Sequence, residues 1–204
     1  MYEKYNNKTI VFFGDSITDS CKHFDVNHPD GAGYVNMVKS EIEVFHQDVK
    51  INIYNEGIGG NKTTDLLNRF DNDVKSKKPD LVFLLIGIND VWHVYDEGKS
   101  PNILEIINRI DLIINKIKSI NSDIVLLTPF LFPTDDYFKG LLQHFNNLMN
   151  NLYDYLAKNN IKYIDTYKIL NENSNIALTK DSVHPTIYGH AIIAQSIINY
   201  LQKN

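Results

Sequence analysis

A single cysteine, Cys21, stands in 204 residues, so no intrachain disulfide can form and nothing points to an oxidising compartment. Long apolar runs are missing as well. The longest, LVFLLIGI from Leu81, is less than half of the roughly 20 residues that a membrane-spanning helix needs. The amino-terminal MYEKYNNKTIVFF has neither the basic start nor the small-residue cleavage site of a secretory signal. These absences lead to the expectation of a soluble, cytoplasmic protein with no membrane partner. Concentrated positive charge is also scarce. The net charge is -5, and the only tight basic cluster, Lys75, Lys77 and Lys78, falls where a helix should end and where lysine complements the helix dipole. Nucleic acid is therefore not an expected partner. No linker or low-complexity segment interrupts the chain, and 43% hydrophobic with 22% charged residues is an ordinary globular balance. Residues 1–204 read as one domain.

What is present is an alternation of short apolar runs with longer segments of helical period. TIVFF from Thr9, VKINIY from Val49, DLVFLLIG from Asp80, DIVLLTP from Asp123 and IKYID from Ile161 read as five strands. Three of them are nearly continuous in apolar residues, the pattern of parallel strands covered on both faces. Between them lie helical stripes such as Leu66, Leu67, Phe70 and Val74, then Ile103 to Ile117, then Leu141 to Leu156. Ser100 and Pro101 are expected to cap and open the helix at SPNILEI, and the last helix is expected near Pro185. The order β, α repeated five times predicts a three-layer α/β domain with a mostly parallel sheet and right-handed crossovers. Ligands on such sheets bind beyond the carboxyl ends of the strands, so chemistry is expected at the strand ends.

The first strand ends in Gly14, Asp15 and Ser16. The second runs into NEGIGGNKTT, the third into GINDVWH, and KDSVHPT precedes the last helix. Acyl transfer needs a nucleophile, a base, a group that orients the base, and donors for the oxyanion. Ser16 supplies the hydroxyl. His184 is the candidate base, because an imidazole can both accept and return a proton near neutral pH, and Asp181 is the candidate orienting carboxylate. The oxyanion donors are expected to be the amides of Ser16 and of the glycine turn at Gly60, where backbone can approach a substrate without a Cβ in the way, with the side-chain amide of Asn89. Asp15, Trp92 and His93 are further candidates for contact with substrate.

Each segment also has a plainer reading. Asp15 and Ser16 could merely cap a helix, Asn89 and Asp90 could cap the next segment, and Trp92 could be core. His190 reads as structural, and His23, His28, His46 and His144 have no second partner in the sequence. Lys62 and Thr63 after the glycine turn look superficially like a phosphate loop, yet Asn61 stands where that loop needs glycine. It also fails G-x-G-x-x-G, so no nucleotide cofactor is expected. A rival reading makes Asp15, Asp90, His93 and His184 ligands of a metal-dependent phosphoesterase, and another a non-catalytic binding module. Four signals in order at four strand ends favour the esterase, with no metal and no cofactor.

At these residues the sequence resembles the GDSL-type, or SGNH, hydrolases: FGDSIT, with Ile17 where leucine is usual, NEGIGGNKTT, GIND and DSVHP match that family's blocks from about Thr9 to the last helix. The resemblance implies a flavodoxin-like α/β/α fold, a five-stranded sheet of order 2-1-3-4-5, and cofactor-independent ester hydrolysis. It implies Ser16, Asp181 and His184 as triad, with Ser16, Gly60 and Asn89 as oxyanion donors. GIGGNKTTDLLNRFDNDV and KPDLVFLLIGINDVWHVYD resemble the small intracellular acetylxylan esterases, whose basic residue after the tryptophan is replaced here by His93. The implied substrate is a small ester, an acetylated sugar such as a xylo-oligosaccharide, with a lysophospholipase or thioesterase as the alternative and a homo-oligomer as a suggested state.

Overall fold

The computed structural model of the protein describes residues 2–22, 29–173 and 177–203. Five strands form one parallel sheet: β1 (Lys8–Gly14), β2 (Ile51–Gly57), β3 (Leu81–Leu85), β4 (Asp123–Leu127) and β5 (Tyr163–Ile164), in the order β2-β1-β3-β4-β5. Burial explains the sequence pattern. The central strands β1, β3 and β4 are buried over nearly their whole length, whereas β2 alternates buried and accessible positions as an edge strand does. The fifth strand is shorter than the expected IKYID. Only its pairs Leu126 with Tyr163 and Leu127 with Ile164 form ladder contacts.

Eight helices accompany the sheet among the described residues: α1 (Ser16–Asp19), α2 (Tyr34–Phe45), α3 (Thr63–Asp73), α4 (Ile88–Asp96), α5 (Ile103–Ser119), α6 (Asp136–Lys158), α7 (Thr166–Glu172) and α8 (Ile187–Lys203). α2 and α7 pack on α8, while α3 and α6 pack on α5 and α4 packs on α6. Right-handed crossovers place these two groups on opposite faces of the sheet. The stripe Ile103, Ile106, Ile107, Ile110, Ile113, Ile114 and Ile117 of α5 is entirely buried, as helical spacing requires of a core face. Two boundaries differ from expectation. The cap of α5 is Asn102, whose side chain accepts from the Glu105 amide, so Ser100 and Pro101 lie before the helix. Pro185 pairs in an antiparallel bridge with Thr179, and α8 starts only at Ile187. The lysine cluster follows α3 as expected: Lys75 to Lys77 form a 3-10 turn, with Lys77 paired to Glu56 at 2.8 Å.

Strand order decides where a site can form. β1 has β2 on one side and β3 on the other, so the loops leaving β1 and β3 diverge toward opposite faces and open a crevice between them. Ser16 begins the segment after β1, and Asn89 lies in the first turn after β3.

Candidate active site

Ser16 opens α1 directly behind the strand. Asp15 is the N-cap: its Oδ1 accepts the Ile17 amide at 3.0 Å. A cap of this kind satisfies a helix-start donor that would otherwise have no partner. Asp15, expected as a contact with substrate, has a fully buried side chain. Burial pushes its carboxyl up to about 7, and its Oδ2 finds no hydrogen-bond partner. The plainer reading of Asp15, a helix cap, describes its position.

The hydroxyl of Ser16 lies 2.9 Å from Nε2 of His184, and Nδ1 of that ring lies 2.7 Å from Oδ2 of Asp181. An ionised carboxylate can only accept, so the Asp181 bond places the ring proton on Nδ1 and leaves Nε2 free to accept from Ser16. The other oxygen of Asp181 accepts the backbone amides of Val183 at 3.2 Å and His184 at 2.8 Å. Burial raises the Asp181 carboxyl, but these amides and the ring outweigh it and hold the group below the usual carboxylate range. The turn that carries both residues is clamped at its base: Lys180 N donates to His184 O and Thr186 N to Leu178 O, each at 2.8 Å. Ser182 between them has φ +75°, a conformation that costs a non-glycine residue about 1–3 kcal/mol. The loop after β4 holds it there, since Phe132 N donates to Ser182 O at 2.9 Å and Thr134 N to Ser182 Oγ at 2.8 Å.

The glycine turn lies against Ser16: a Cβ placed on Gly59 would stand 3.9 Å from Ser16 Cβ. Ile58 O accepts the Asn61 amide at 3.3 Å, and Gly60 has φ +76°, the left-handed third position of a tight turn. A Cβ there would meet nothing nearer than His93 Cε1 at 4.0 Å. Glycine is thus required by backbone conformation more than by crowding, which refines the expectation of close approach. Asn89 Nδ2 donates to Asn61 O at 3.0 Å, so the donor candidate after β3 is tied to the turn after β2.

Trp92 and His93 flank this group from α4. The Trp92 ring is 6.4 Å from that of His184 and meets Phe138 edge-on at 5.1 Å, while its Nε1 donates to the Tyr137 hydroxyl at 3.0 Å. Asp90 turns away to serve α3, accepting Thr63 N at 3.0 Å and Thr63 Oγ1 at 2.5 Å, with Arg109 alongside at 3.4 Å. Among the described residues no three His, Cys, Asp or Glu side chains are grouped as metal ligands. Of the residues in the rival metal reading, Asp15 and Asp90 are each committed to a helix start. His190 is buried and structural: its Nδ1 accepts Tyr34 N at 3.2 Å, and burial with the nearby Lys180 and His184 charges lowers it to about 4. His46 packs on Tyr2 and His144 on Tyr95, whereas His23 and His28 lie outside the described residues.

Beside Ser16 and His184 opens a cleft of about 300 Å³, lined also by Cys21, Gly59, Lys180 and His190. Lys180 and Cys21 line it in addition to the expected residues. Arg69, Asn61 and Ser182, which hold the surrounding loops, also lie outside the expected set. Asn61 and Ser182 stand inside NEGIGGNKTT and DSVHP, and Arg69 follows the glycine block, but only the fold shows what they bond.

A model of the family described as GDSL-like Lipase/Acylhydrolase matches residues 10–197. The acetylxylan esterase of Geobacillus stearothermophilus is 29% identical over 95% of this chain and 93% of its own. An uncharacterized Bacillus subtilis (strain 168) protein, YpmR, is 24% identical over 95% of this chain and 81% of its own. In solved form, the acetylxylan esterase Axe2 of Geobacillus stearothermophilus superposes with a TM-score of 0.79 at 29% identity, covering 96% of this chain and 94% of its own. Fold and relatives together define a carboxylic ester hydrolase. The chain belongs to the GDSL-like lipase/acylhydrolase family.

Proposed function

We propose that the protein is a serine esterase that removes short acyl groups, acetyl above all, from carbohydrate, and that it works through an acyl-enzyme. The observation that carries this reading is the unbroken row from Ser16 through His184 to Asp181, at 2.9 and 2.7 Å. His184 Nε2 takes the Ser16 proton as Oγ attacks the ester carbonyl, and Asp181 stabilises the imidazolium that results. The oxyanion is met by the free first-turn amide of Ser16, by the Gly60 amide and by Asn89 Nδ2. A side-chain amide has two hydrogens, so the bond to Asn61 orients Asn89 while leaving one hydrogen to donate. His184 then returns the proton to the departing alcohol. Water, activated by the same ring, cleaves the acyl-serine. No step needs a cofactor.

The sugar preference is supported by the named activity of the 29% identical relative. Solved variants of that relative called catalytic mutants alter a serine, an aspartate and a histidine three positions beyond that aspartate, the spacing of Asp181 and His184 here. The half-buried Trp92 beside His184 suits the face of a sugar on the leaving-group side. Acetate release from acetylated xylo-oligosaccharides is the direct test, with Ser16→Ala expected to abolish it. A p-nitrophenyl ester series from two to sixteen carbons should peak at the short end. A maximum at long chains would instead identify a lysophospholipase or thioesterase. Asn89→Ala should lower kcat by roughly 100- to 1000-fold, the usual loss for one oxyanion donor.

A further inference from the structure

Arg69 projects from α3 beneath the glycine turn, with its side chain only 13% exposed. Its guanidinium uses most of its donors on backbone and loop. Nη2 donates to Gly14 O at 2.8 Å, Nη1 to Glu56 O at 3.0 Å and to Asp73 Oδ2 at 2.7 Å, and the group lies 4.5 Å over the Phe13 ring. These contacts join the ends of β1 and β2, and alone they would describe a structural tie. The remaining bond is different: Nε donates to Asn61 Oδ1 at 2.7 Å. Asn61 is the residue whose carbonyl accepts Asn89 Nδ2 and whose amide closes the turn around Gly60. Its side chain, amide and carbonyl are thus each fixed, by Arg69, Ile58 and Asn89 respectively.

We infer that Arg69 is a positioning residue for the oxyanion site, acting through Asn61 to hold the Asn89 amide and the Gly60 turn in register with Ser16. The inference rests on the proposed role of Asn89 as an oxyanion donor. Fixed geometry matters at such a site because donors aimed in advance at the developing charge need no reorganisation during reaction. A freed Asn61 carbonyl could rotate and take the Asn89 amide with it. Lysine could not substitute, since a single ammonium cannot span two strand ends and a side-chain amide as a planar fork does.

The test is a double-mutant cycle with Asn61→Ala and Arg69→Met, read by kcat and KM on p-nitrophenyl acetate and by Tm. Asn61→Ala should lower kcat about 10-fold with KM within about twofold, because the affected contact forms fully only in the transition state. Its Tm should stay within a few degrees. The double variant should lose no more kcat than the worse single one, since residues acting in series are not additive. Wild-type kcat in Asn61→Ala, a change in KM alone, or losses that multiply in the double variant would overturn the inference. If Arg69→Met does not fold, Asn61→Ala combined with Asn89→Ala gives the same reading: the Asn61 effect should shrink once Asn89 is gone, and an undiminished effect overturns the relay. Failure of the unaltered protein to hydrolyse p-nitrophenyl acetate would instead remove the esterase reading on which the relay depends, so the two failures are distinguishable.

Discussion

Asp15 and Asp181 make the same local bond and titrate in opposite directions. Each accepts the amide two residues ahead, Asp15 from Ile17 at 3.0 Å and Asp181 from Val183 at 3.2 Å. Asp15 is sealed under α1 with one oxygen unpartnered, and burial raises it to about 7. Asp181 is half exposed and gathers a second amide and an imidazole, so it is held low. A carboxylate's local turn therefore does not determine its charge at neutral pH. The balance of desolvation against hydrogen-bond donors does, and in this protein that balance separates a buried helix cap from an acid paired with His184.

The sharpest way to break this contrast is to neutralise each acid in turn. Asp181→Asn should cut kcat by about 10⁴-fold, because an amide facing Nδ1 favours the wrong imidazole tautomer. Circular dichroism and Tm should change little, since the site is accessible to water. Asp15→Asn should leave the triad assembled and retain far more activity, assayed on the same ester. A smaller effect is expected from Asp15→Ala at pH 5, where the buried carboxyl is neutral: loss of the cap should cost about 1 kcal/mol in denaturant unfolding.

Slopes of stability against pH sharpen the same contrast. Folded Asp15 keeps its proton up to about pH 7, while the unfolded chain releases it near the ordinary value of 3.8. Its contribution is complete below 3.8 and is lost as pH rises through about 7. His190 runs the other way. Its folded value of about 4 lies below the ordinary 6.5, so its contribution is complete above 6.5 and is lost as pH falls toward 4. Between these limits the two slopes oppose one another. Asp15→Asn should make stability rise more steeply with pH across this interval, and His190→Asn should make it fall, both measured as denaturant midpoints from pH 4.5 to 6.5. Identical slopes in both variants would contradict the assigned burial.

The sheet was legible because β1, β3 and β4 are buried on both faces and their composition shows it. β5 was overestimated: an edge strand of two residues leaves little signature beyond two apolar positions. α4 looks in sequence like a polar strand end, since Asn89, Asp90 and His93 obscure a helix whose buried residues are Ile88, Asn89, Asp90 and Val91. At the site, Ser16, Asp181 and His184 could be chosen because acyl transfer demands those side-chain types, and the sheet brings them together. Asp15 is a cap in the structure, and a cap and a ligand contact look alike in sequence, which is why both readings stood open there. Arg69 was invisible for another reason. On a helix reading LLNRFDND it looks like any surface arginine until the carbonyls of two strands are seen to converge on it.

Ser16 and His184 are separated by 168 positions along the chain, and Thr186 and Gly189 follow the ring into a helix that must dock against α2. The hydroxyl and the imidazole therefore meet only when the first strand and the turn before α8 are both in place. On the proposed mechanism, ester turnover would report that long-range closure.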